Sequence, residues 1–468
     1  MASDERVPNL QLLEDRTGMS GRFHTPGTAQ YEKSAKLVFD GSDRLPAVTV
    51  RPRSAEEVSR LVQAARELDW RIAVRGGGHG FARHALAAGS LVLDMRELDT
   101  VSIDPARRIG AAGGGVLAGE YTRAAWQHGL ATGFGDSPDV GVAGLTLGGG
   151  IGFLSRRDGL TIDSLHSAEI VLADGRIVTA SEEENATGDH RDLFWALRGG
   201  GGNFGVVTRL EFELRPTAPV TGGIMAFEPT PENLERAVSA VLEAPDELSV
   251  MMSLMPAPPM PAIPAALHGE LLMIVLPCWS GSSDRAERML APLRRLGPVA
   301  EQIAWAPYPS LLQGPPPFPE PTLPASRSGF ADTVDRQWAE RAIDAVRTAP
   351  TASTIQIRPM GGAIARVPSA ETAFAHRERA VMAFAGALTP DPGLLADAHA
   401  WLDTTTASLG LTGRYVNFMS VDTEDDVAGA YPGRTMERLR RIKGDYDPAN
   451  TFSSNHNILP ARAEPSAA

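Results

Sequence analysis

The chain is poor in cysteine: Cys278 stands alone among 468 residues. Intrachain disulfides, cysteine-based zinc clusters and CxxC redox chemistry are therefore excluded. Long apolar runs are missing as well, and none approaches the roughly 20 residues of a membrane span. The first residues, Met1-Ala2-Ser3-Asp4-Glu5, show neither a basic n-region nor an apolar h-region. No signal peptide is expected, and a cytoplasmic location follows. Positive charge is in deficit, with a net charge of −13. That balance argues against nucleic acid and against an anionic membrane as partners.

Several catalytic signatures are absent too. There is no GxxxxGK[ST] loop and no His-Glu-x-x-His pair. The ten histidines are scattered, so no metal site is expected. Ser137 does not sit in a GxSxG elbow, which argues against a hydrolase. Gly200-Gly201-Gly202-Asn203-Phe204-Gly205 fits GxGxxG literally, but a helix is expected before it and a strand after it. A dinucleotide fingerprint needs the reverse order, so a Rossmann NAD site is a poor reading.

Glycine and proline are plentiful, 47 and 36 residues, which favours loops and turns. The length calls for two domains or more. Residues 1–45 read as an irregular lead-in. Pro46 to Val50 reads as a strand, and Ser54-Ala55-Glu56-Glu57 as a capping box opening a helix with Val58, Leu61, Val62 and Ala65 on one face. Ile72 to Val74 reads as a strand that runs into Arg75-Gly76-Gly77-Gly78-His79-Gly80. Glycines there let a ligand approach the backbone, and successive N–H groups make a nest for an anion such as phosphate. The imidazole of His79 stands at its rim.

Further along, Leu91 to Asp94 reads as a strand, Tyr121 to His128 as a helix ended by Gly129, and Asp136 to Gly152 as a glycine-rich stretch. Ala168 to Leu172 and Arg176 to Ala180 flank the hairpin turn Asp174-Gly175. Asp192 to Leu197 reads as a short helix, and Gly199 to Gly205 leads into a strand, Val206 to Leu214. Beyond Pro216 glycine thins out. Helices Glu232 to Leu242, Asp284 to Leu296 and Thr333 to Arg347 alternate with apolar runs such as Leu271 to Leu276. Pro256 to Pro264 and Pro315 to Pro324 read as irregular loops, surface connections in preference to the wall or lid of a pocket. Met251, Met252, Met255 and Met260 fit either an adaptable pocket wall or a core. A last helix is expected near Arg434 to Lys443.

Four stretches, taken in order, carry a resemblance. They are the Arg75 to Gly80 turn; Val140 to Leu160 with its Gly148-Gly149-Gly150; Asp192 to Val207; and Tyr446-Asp447-Pro448-Ala449-Asn450-Thr451-Phe452 with Asn455-His456-Asn457-Ile458. Together they resemble the FAD-linked oxidases of the vanillyl-alcohol-oxidase superfamily, in the berberine-bridge-enzyme-like group. The resemblance implies an α+β fold. A two-subdomain PCMH-type FAD-binding domain takes residues 1–214. A substrate domain, an antiparallel sheet covered by helices, takes 215–410. Residues 411–468 return to the FAD domain.

The cofactor implied is FAD, with a small-molecule substrate and molecular oxygen as partners. The resemblance places the flavin against Arg75, Gly76, Gly77, Gly78, His79 and Gly80. It continues along Ser137, Val140, Gly141, Gly144, Leu145, Gly148, Gly149, Gly152 and Phe153. Gly205, Val206, Val207, Asn417, Asn455 and Asn457 complete the set. His79 matches the histidine that bonds the flavin 8α-methyl group. Ser137 stands where many members carry a second linking cysteine, and Cys278 reads as a buried small hydrophobe, so one covalent bond is expected. Val140 matches the position controlling oxygen access, and a small side chain there goes with oxidase behaviour.

The implied reaction moves a hydride from a hydroxyl- or amine-bearing carbon to flavin N5 while a base takes a proton. Tyr415, in a Tyr-x-Asn-aromatic motif, is the candidate base, or else a packing residue. Asp158 stands where many relatives carry a tyrosine and is a second candidate, as base or as a group orienting Tyr415. The implied activity is an oxidase of a natural product or sugar that releases hydrogen peroxide. A redox-neutral cyclase or dehydrogenase, and a flavin-binding protein without turnover, are the alternatives.

Overall fold

Ser54 opens the helix Ala55–Glu67, its hydroxyl accepting the Glu57 N–H. Val58, Leu61, Val62 and Ala65 bury fully along one face. The reciprocal half of the expected capping box does not form. The Glu57 carboxylate instead accepts from the Arg53 N–H at 2.8 Å and the Arg22 guanidinium at 2.6 Å. The buried face meets a four-stranded sheet ordered Phe23–His24, Val48–Val50, Leu91–Asp94, Ile72–Arg75. The last three strands run parallel. Leu91 to Asp94 is buried at every position, the continuous pattern of a strand covered on both faces.

The computed structural model describes residues 9–39, 43–314 and 322–461. The Met1 to Glu5 start and most of the Pro315 to Pro324 stretch lie outside the described residues, while Leu323–Ala331 is a strand. The irregular lead-in expected for residues 1–45 is corrected by the helices Leu10–Thr17 and Ala29–Ala35 and the short strand Phe23–His24. Both helices are brief, and tertiary contacts hold them: Tyr31 is buried and its hydroxyl donates to Pro46 O at 2.7 Å. The glycine-rich stretch around residue 145 likewise holds a short helix, Val142–Leu147.

A five-stranded antiparallel sheet follows, ordered Val101–Asp104, Ile109–Gly113, Val206–Glu213, Leu165–Val171, Ile177–Ser181. The Asp174-Gly175 hairpin forms as the sequence predicts, with Ala168 opposite Ala180. The helices Ala118–Trp126, Arg191–Leu197 and Arg434–Tyr446 share this sheet's core, so the C-terminal helix packs with the first half of the chain.

The remaining sheet has seven strands, all antiparallel. Their order is Ala300–Ala306, Val220–Phe227, Leu271–Trp279, Leu248–Pro256, Ala352–Pro359, Val381–Thr389, Leu323–Ala331. The helices Pro231–Leu242, Ser283–Arg294, Arg336–Arg347 and Leu395–Ser408 cover one face. The period of two along Val381–Thr389 sorts its side chains. Val381, Ala383, Ala385 and Ala387 join the helix-covered core, whereas Met382 and Phe384 join a cluster with Tyr415 and Ile151. That second face positions the site. Met252 packs in the helix-covered core and Met255 and Met260 in an outer cluster. Among the described residues no helix is long and apolar enough to cross a membrane.

Candidate active site

Two glycine stretches meet at the start of the site. The strand Ile72–Arg75 is pinned at its end, where Arg75 bonds Asp94 at 3.1 Å and Lys36 O at 3.0 Å. Asp94 is fully buried and also takes Arg51 and the Ser34 hydroxyl, each at 2.7 Å. Past this anchor the backbone crosses that of the second stretch. A Cβ on Gly141 would stand 2.5 Å from Gly77 N, and one on Gly77 would collide with Gly141 N and Asp139 O. Only glycine permits this approach. His79 follows the crossing. Burial lowers its proton affinity, and Arg75 adds to this while Asp139 and Asp136 oppose it. Its imidazole is therefore neutral at pH 7, with a free lone pair.

Tyr415 lies on the other side, fully among buried groups. Its phenolic oxygen accepts from Gly150 N at 3.0 Å and from Asn417 Nδ2 at 2.9 Å. Asn417 Nδ2 also donates to Leu145 O at 3.0 Å, and its side chain fills the space a Cβ on Gly148 would need. Ser328 Oγ bonds both the N–H and the carbonyl of Tyr415, at 2.9 and 3.0 Å, fixing its backbone to the seven-stranded sheet. Burial raises the phenol above the ordinary tyrosine value of 10.0; the two N–H donors and the nearby Arg358 charge pull the other way without overturning it. Arg358 donates to Ile151 O at 2.9 Å, Gln356 at 2.8 Å and Asp136 at 2.5 Å, and its guanidinium lies 5.1 Å from the Phe418 ring centre. It lines a small cavity of about 20 Å³, room for a single water, with Asp136, Ile151 and Met251.

The C-terminal loop closes the site. Lys443 Nζ, fully buried, donates to Asn203 O at 2.7 Å, Asp447 at 2.5 Å and Phe452 O at 3.1 Å. Asn203 Oδ1 accepts from Ile458 N at 2.9 Å, and Asn455 Nδ2 donates to Gly202 O at 3.1 Å. The third glycine stretch and the loop are thus one unit. Within it the Asn450, Asn455 and Asn457 amide oxygens and the Ser454 hydroxyl are buried without a hydrogen-bond partner among the described residues. Each such group costs about 1–3 kcal/mol unless something polar meets it. A glycine crossing that leaves backbone open to a ligand, and a loop whose unpaired amide oxygens call for hydroxyl or N–H donors, fit a long, polar cofactor.

The sequence matches the FAD binding domain family over residues 46–181 and the berberine and berberine-like family over residues 414–459. It is 30% identical to the (R)-6-hydroxynicotine oxidase of Paenarthrobacter nicotinovorans, over 94% of this chain and 99% of that protein. The chain belongs to the FAD-linked oxidoreductases of the berberine-bridge-enzyme-like group. The crystal structure of 6-hydroxy-D-nicotine oxidase from Arthrobacter nicotinovorans superposes on this oxidoreductase with a TM-score of 0.82 at 27% identity, covering 95% of this chain and 99% of that one. The glucooligosaccharide oxidase of Sarocladium strictum is 37% identical over 41% of this chain and 38% of that protein.

Of the residues singled out in the sequence of this FAD-linked oxidoreductase, the fold brings Gly76 and Gly77 against Gly141 at the crossing, while Gly78 faces Leu37 and Arg75 and Gly80 faces open space. Leu145, Gly148, Gly149 and Gly150 gather around Asn417 and Tyr415. Gly144 is exposed and Ser137 Oγ sits 3.3 Å from Asp136. Gly152 packs on Phe134 O, and Phe153 turns into a core with Leu154 and Cys278. Gly205, Val206 and Val207 form the start of a central strand, where a Cβ on Gly205 would meet Val171 O at 2.5 Å. Asp158 is held by arginines. Both its oxygens bond Arg157, at 2.8 and 2.6 Å, and Arg215 stands 4.0 Å away. Asn417 and Gly150 hold the Tyr415 oxygen.

Arg358, Asp136, Ser328, Asn203 and Lys443 were missed. Arg358 had a faint signal: Gln356 and Arg358 alternate with Ile355 and Ile357, which reads as a solvent-facing polar edge. In the structure that edge is the face turned to the glycine stretches. Cys278 is fully buried, as expected, and its thiol is pushed up to about 12 by burial.

Proposed function

We propose that this FAD-linked oxidoreductase is an oxidase that dehydrogenates a hydroxyl- or amine-bearing carbon of a small molecule, a natural product or a sugar. FAD would be held by the glycine crossing at Gly77 and Gly141, by the Leu145 to Gly150 turn with Asn417, and by the polar loop Asn450 to Asn457. Bound there, FAD takes up the two electrons that leave the substrate. We assign residues 1–214 and 411–468 to the cofactor domain and 215–410 to the substrate domain.

The observation that carries the reading is Tyr415. Its oxygen already accepts two N–H bonds, and the nearby Arg358 charge joins them in favouring the ionised phenol. Tyr415 takes the proton from the substrate hydroxyl or amine. Gly150 N, Asn417 and Arg358 stabilise the negative charge of the phenolate that accepts this proton, and the transfer leaves Tyr415 neutral. The raised proton affinity of the phenol makes that transfer favoured at alkaline pH.

His79 forms a single covalent bond to the flavin in this proposal. Its neutral imidazole suits a nucleophile, while Ser137 offers no thiol and Cys278 is buried with its thiol protonated. Dioxygen is the final electron acceptor and leaves as hydrogen peroxide; the small side chain of Val140 supports this. Identity to the nicotine oxidase runs through the whole chain, whereas identity to the glucooligosaccharide oxidase covers two fifths of it. The substrate panel should therefore weight N-heterocyclic amines and phenols above oligosaccharides.

The test begins with acid precipitation of the purified protein. Yellow colour in the pellet, moving to the supernatant in His79→Ala, supports the covalent bond. Peroxide release is then screened over secondary amines, benzylic alcohols and oligosaccharides. Substrate-dependent flavin reduction without peroxide would assign another acceptor, and no reduction by any amine or alcohol would sink the oxidase reading.

A further inference from the structure

The fold gathers three metal-ligating side chains that the sequence keeps far apart. His84 lies in the loop after the Gly76–Gly80 turn. Asp422 precedes the helix Glu424–Ala430, and His456 belongs to the C-terminal loop. One nitrogen from each histidine and one oxygen of Asp422 all lie within 4.8 Å of one another. His84 Nε2 is 3.1 Å from Asp422 Oδ2, and the two imidazoles meet edge to face with centroids 4.7 Å apart.

A histidine beside an aspartate is an ordinary surface ion pair. The second imidazole changes the problem. The two imidazoles touch edge to face, yet His456 Nδ1 is buried with no hydrogen-bond partner among the described residues. A buried lone donor or acceptor of this kind is costly. The Asp422 side chain is 46% exposed, so the cluster opens to solvent on one side.

We propose that His84, Asp422 and His456 form a binding site for a divalent transition-metal ion of the zinc class. Two imidazoles and one carboxylate select zinc, cobalt, nickel or copper over magnesium and calcium, which prefer oxygen ligands. Tetrahedral ligands each about 2.1 Å from one ion lie about 3.4 Å apart, so a pair at the 4.8 Å limit would close by about 1.4 Å, a side-chain rotation, on binding. Three protein ligands leave the fourth tetrahedral position to a water on the open side. The ion would fasten the C-terminal loop, with Asn455 and Asn457, onto the loop that follows His79. Its role is a clasp at the rim of the cofactor region, independent of the substrate reaction.

The test uses the full-length FAD-loaded protein without a polyhistidine tag, stripped with EDTA and desalted. Zinc chloride is titrated by calorimetry, with magnesium chloride as the control, and bound zinc is counted by elemental analysis. One zinc per chain, no magnesium heat, and a thermal midpoint raised by zinc are expected. His84→Gln and Asp422→Asn, checked for wild-type flavin absorbance, should each weaken zinc binding at least tenfold. If His84→Gln loses flavin, the exposed Asp422→Asn variant decides. Substoichiometric zinc in the wild type, or wild-type binding in Asp422→Asn, overturns the site.

Discussion

The glycine-rich half and the seven-stranded sheet bury opposite kinds of group. In the first, backbone meets backbone at Gly77 and Gly141, buried ions such as Asp94 and Lys443 hold loops in place, and the C-terminal loop keeps unpaired amide oxygens. In the second, the helix-covered face is a continuous core of Leu234, Leu290, Ile355, Ala383 and their neighbours. The difference concerns what each half must hold. A backbone shaped around a ligand leaves one residue type per position, whereas a core filled by volume accepts many. The sheet departs from this only on its other face, where Arg358 and Ser328 reach Asp136, Ile151 and Tyr415.

The sharpest way to break the contrast is to add one methyl group. Gly77→Ala drives its Cβ into the Gly141 backbone, while Gly80→Ala points into open space. Gly77→Ala should lose at least nine tenths of bound flavin, read as the ratio of visible to protein absorbance, with Gly80→Ala within a factor of two of wild type. Equal flavin in both would show that the crossing is not needed. Next comes Lys443→Met, which strands the buried Asp447 carboxylate and should cost about 3–5 kcal/mol. Leu290→Ala in the sheet core should cost a similar about 2–5 kcal/mol. Urea unfolding reads both losses, but only Lys443→Met should also shift the visible flavin spectrum below its unfolding midpoint. If Leu290→Ala shifts that spectrum equally, the two halves do not differ in what they hold.

The same contrast explains what the sequence made legible. The glycine stretches, the Asp174-Gly175 hairpin and the Tyr415-Val416-Asn417 motif could be read because turn chemistry and ligand contact restrict residue types. The helices Leu10–Thr17 and Ala29–Ala35 escaped notice because they are short, and packing rather than propensity holds them. Arg358 escaped because a polar strand face looks the same whether it meets water or the other half of the molecule. The partner of Asp158 was not legible because neighbours in the chain do not announce their pairing: Arg157 beside it takes both oxygens. Lys443 and Asn203 showed no motif, since their partnership spans distant segments.

A smaller effect is expected at the junction of the halves. Tyr415→Phe keeps the ring and removes the oxygen that Gly150 and Asn417 hold. Flavin should stay bound, and its anaerobic reduction by substrate should slow at least tenfold, about 1.4 kcal/mol of barrier. The proton acceptor is the ionised phenol, whose pKa lies above 10.0. The wild-type reduction rate should therefore rise with pH across the alkaline range, and that rise should vanish in Tyr415→Phe. Reduction at the wild-type rate, or an unchanged alkaline limb, would remove Tyr415 from proton transfer.

The smallest effect concerns His376, which also bridges the two regions. Its ring stacks on Phe330 of the seven-stranded sheet at 4.5 Å, and Nε2 lies 3.0 Å from Gly429 O near the C-terminal helices. Burial chiefly, with Arg379, lowers its pKa below the ordinary 6.5. Between the folded and unfolded values the unfolded chain binds the extra proton. Stability is thus full above pH 6.5 and falls as pH drops below it, by at most about 1.4 kcal/mol per pH unit for one proton. The urea midpoint should be lower at pH 5 than at pH 7.5, and His376→Gln should shrink that difference. His399, also lowered by burial, would sustain part of the remainder. A difference that survives His376→Gln in full would place the acid sensitivity within one half of the molecule rather than at the seam between them.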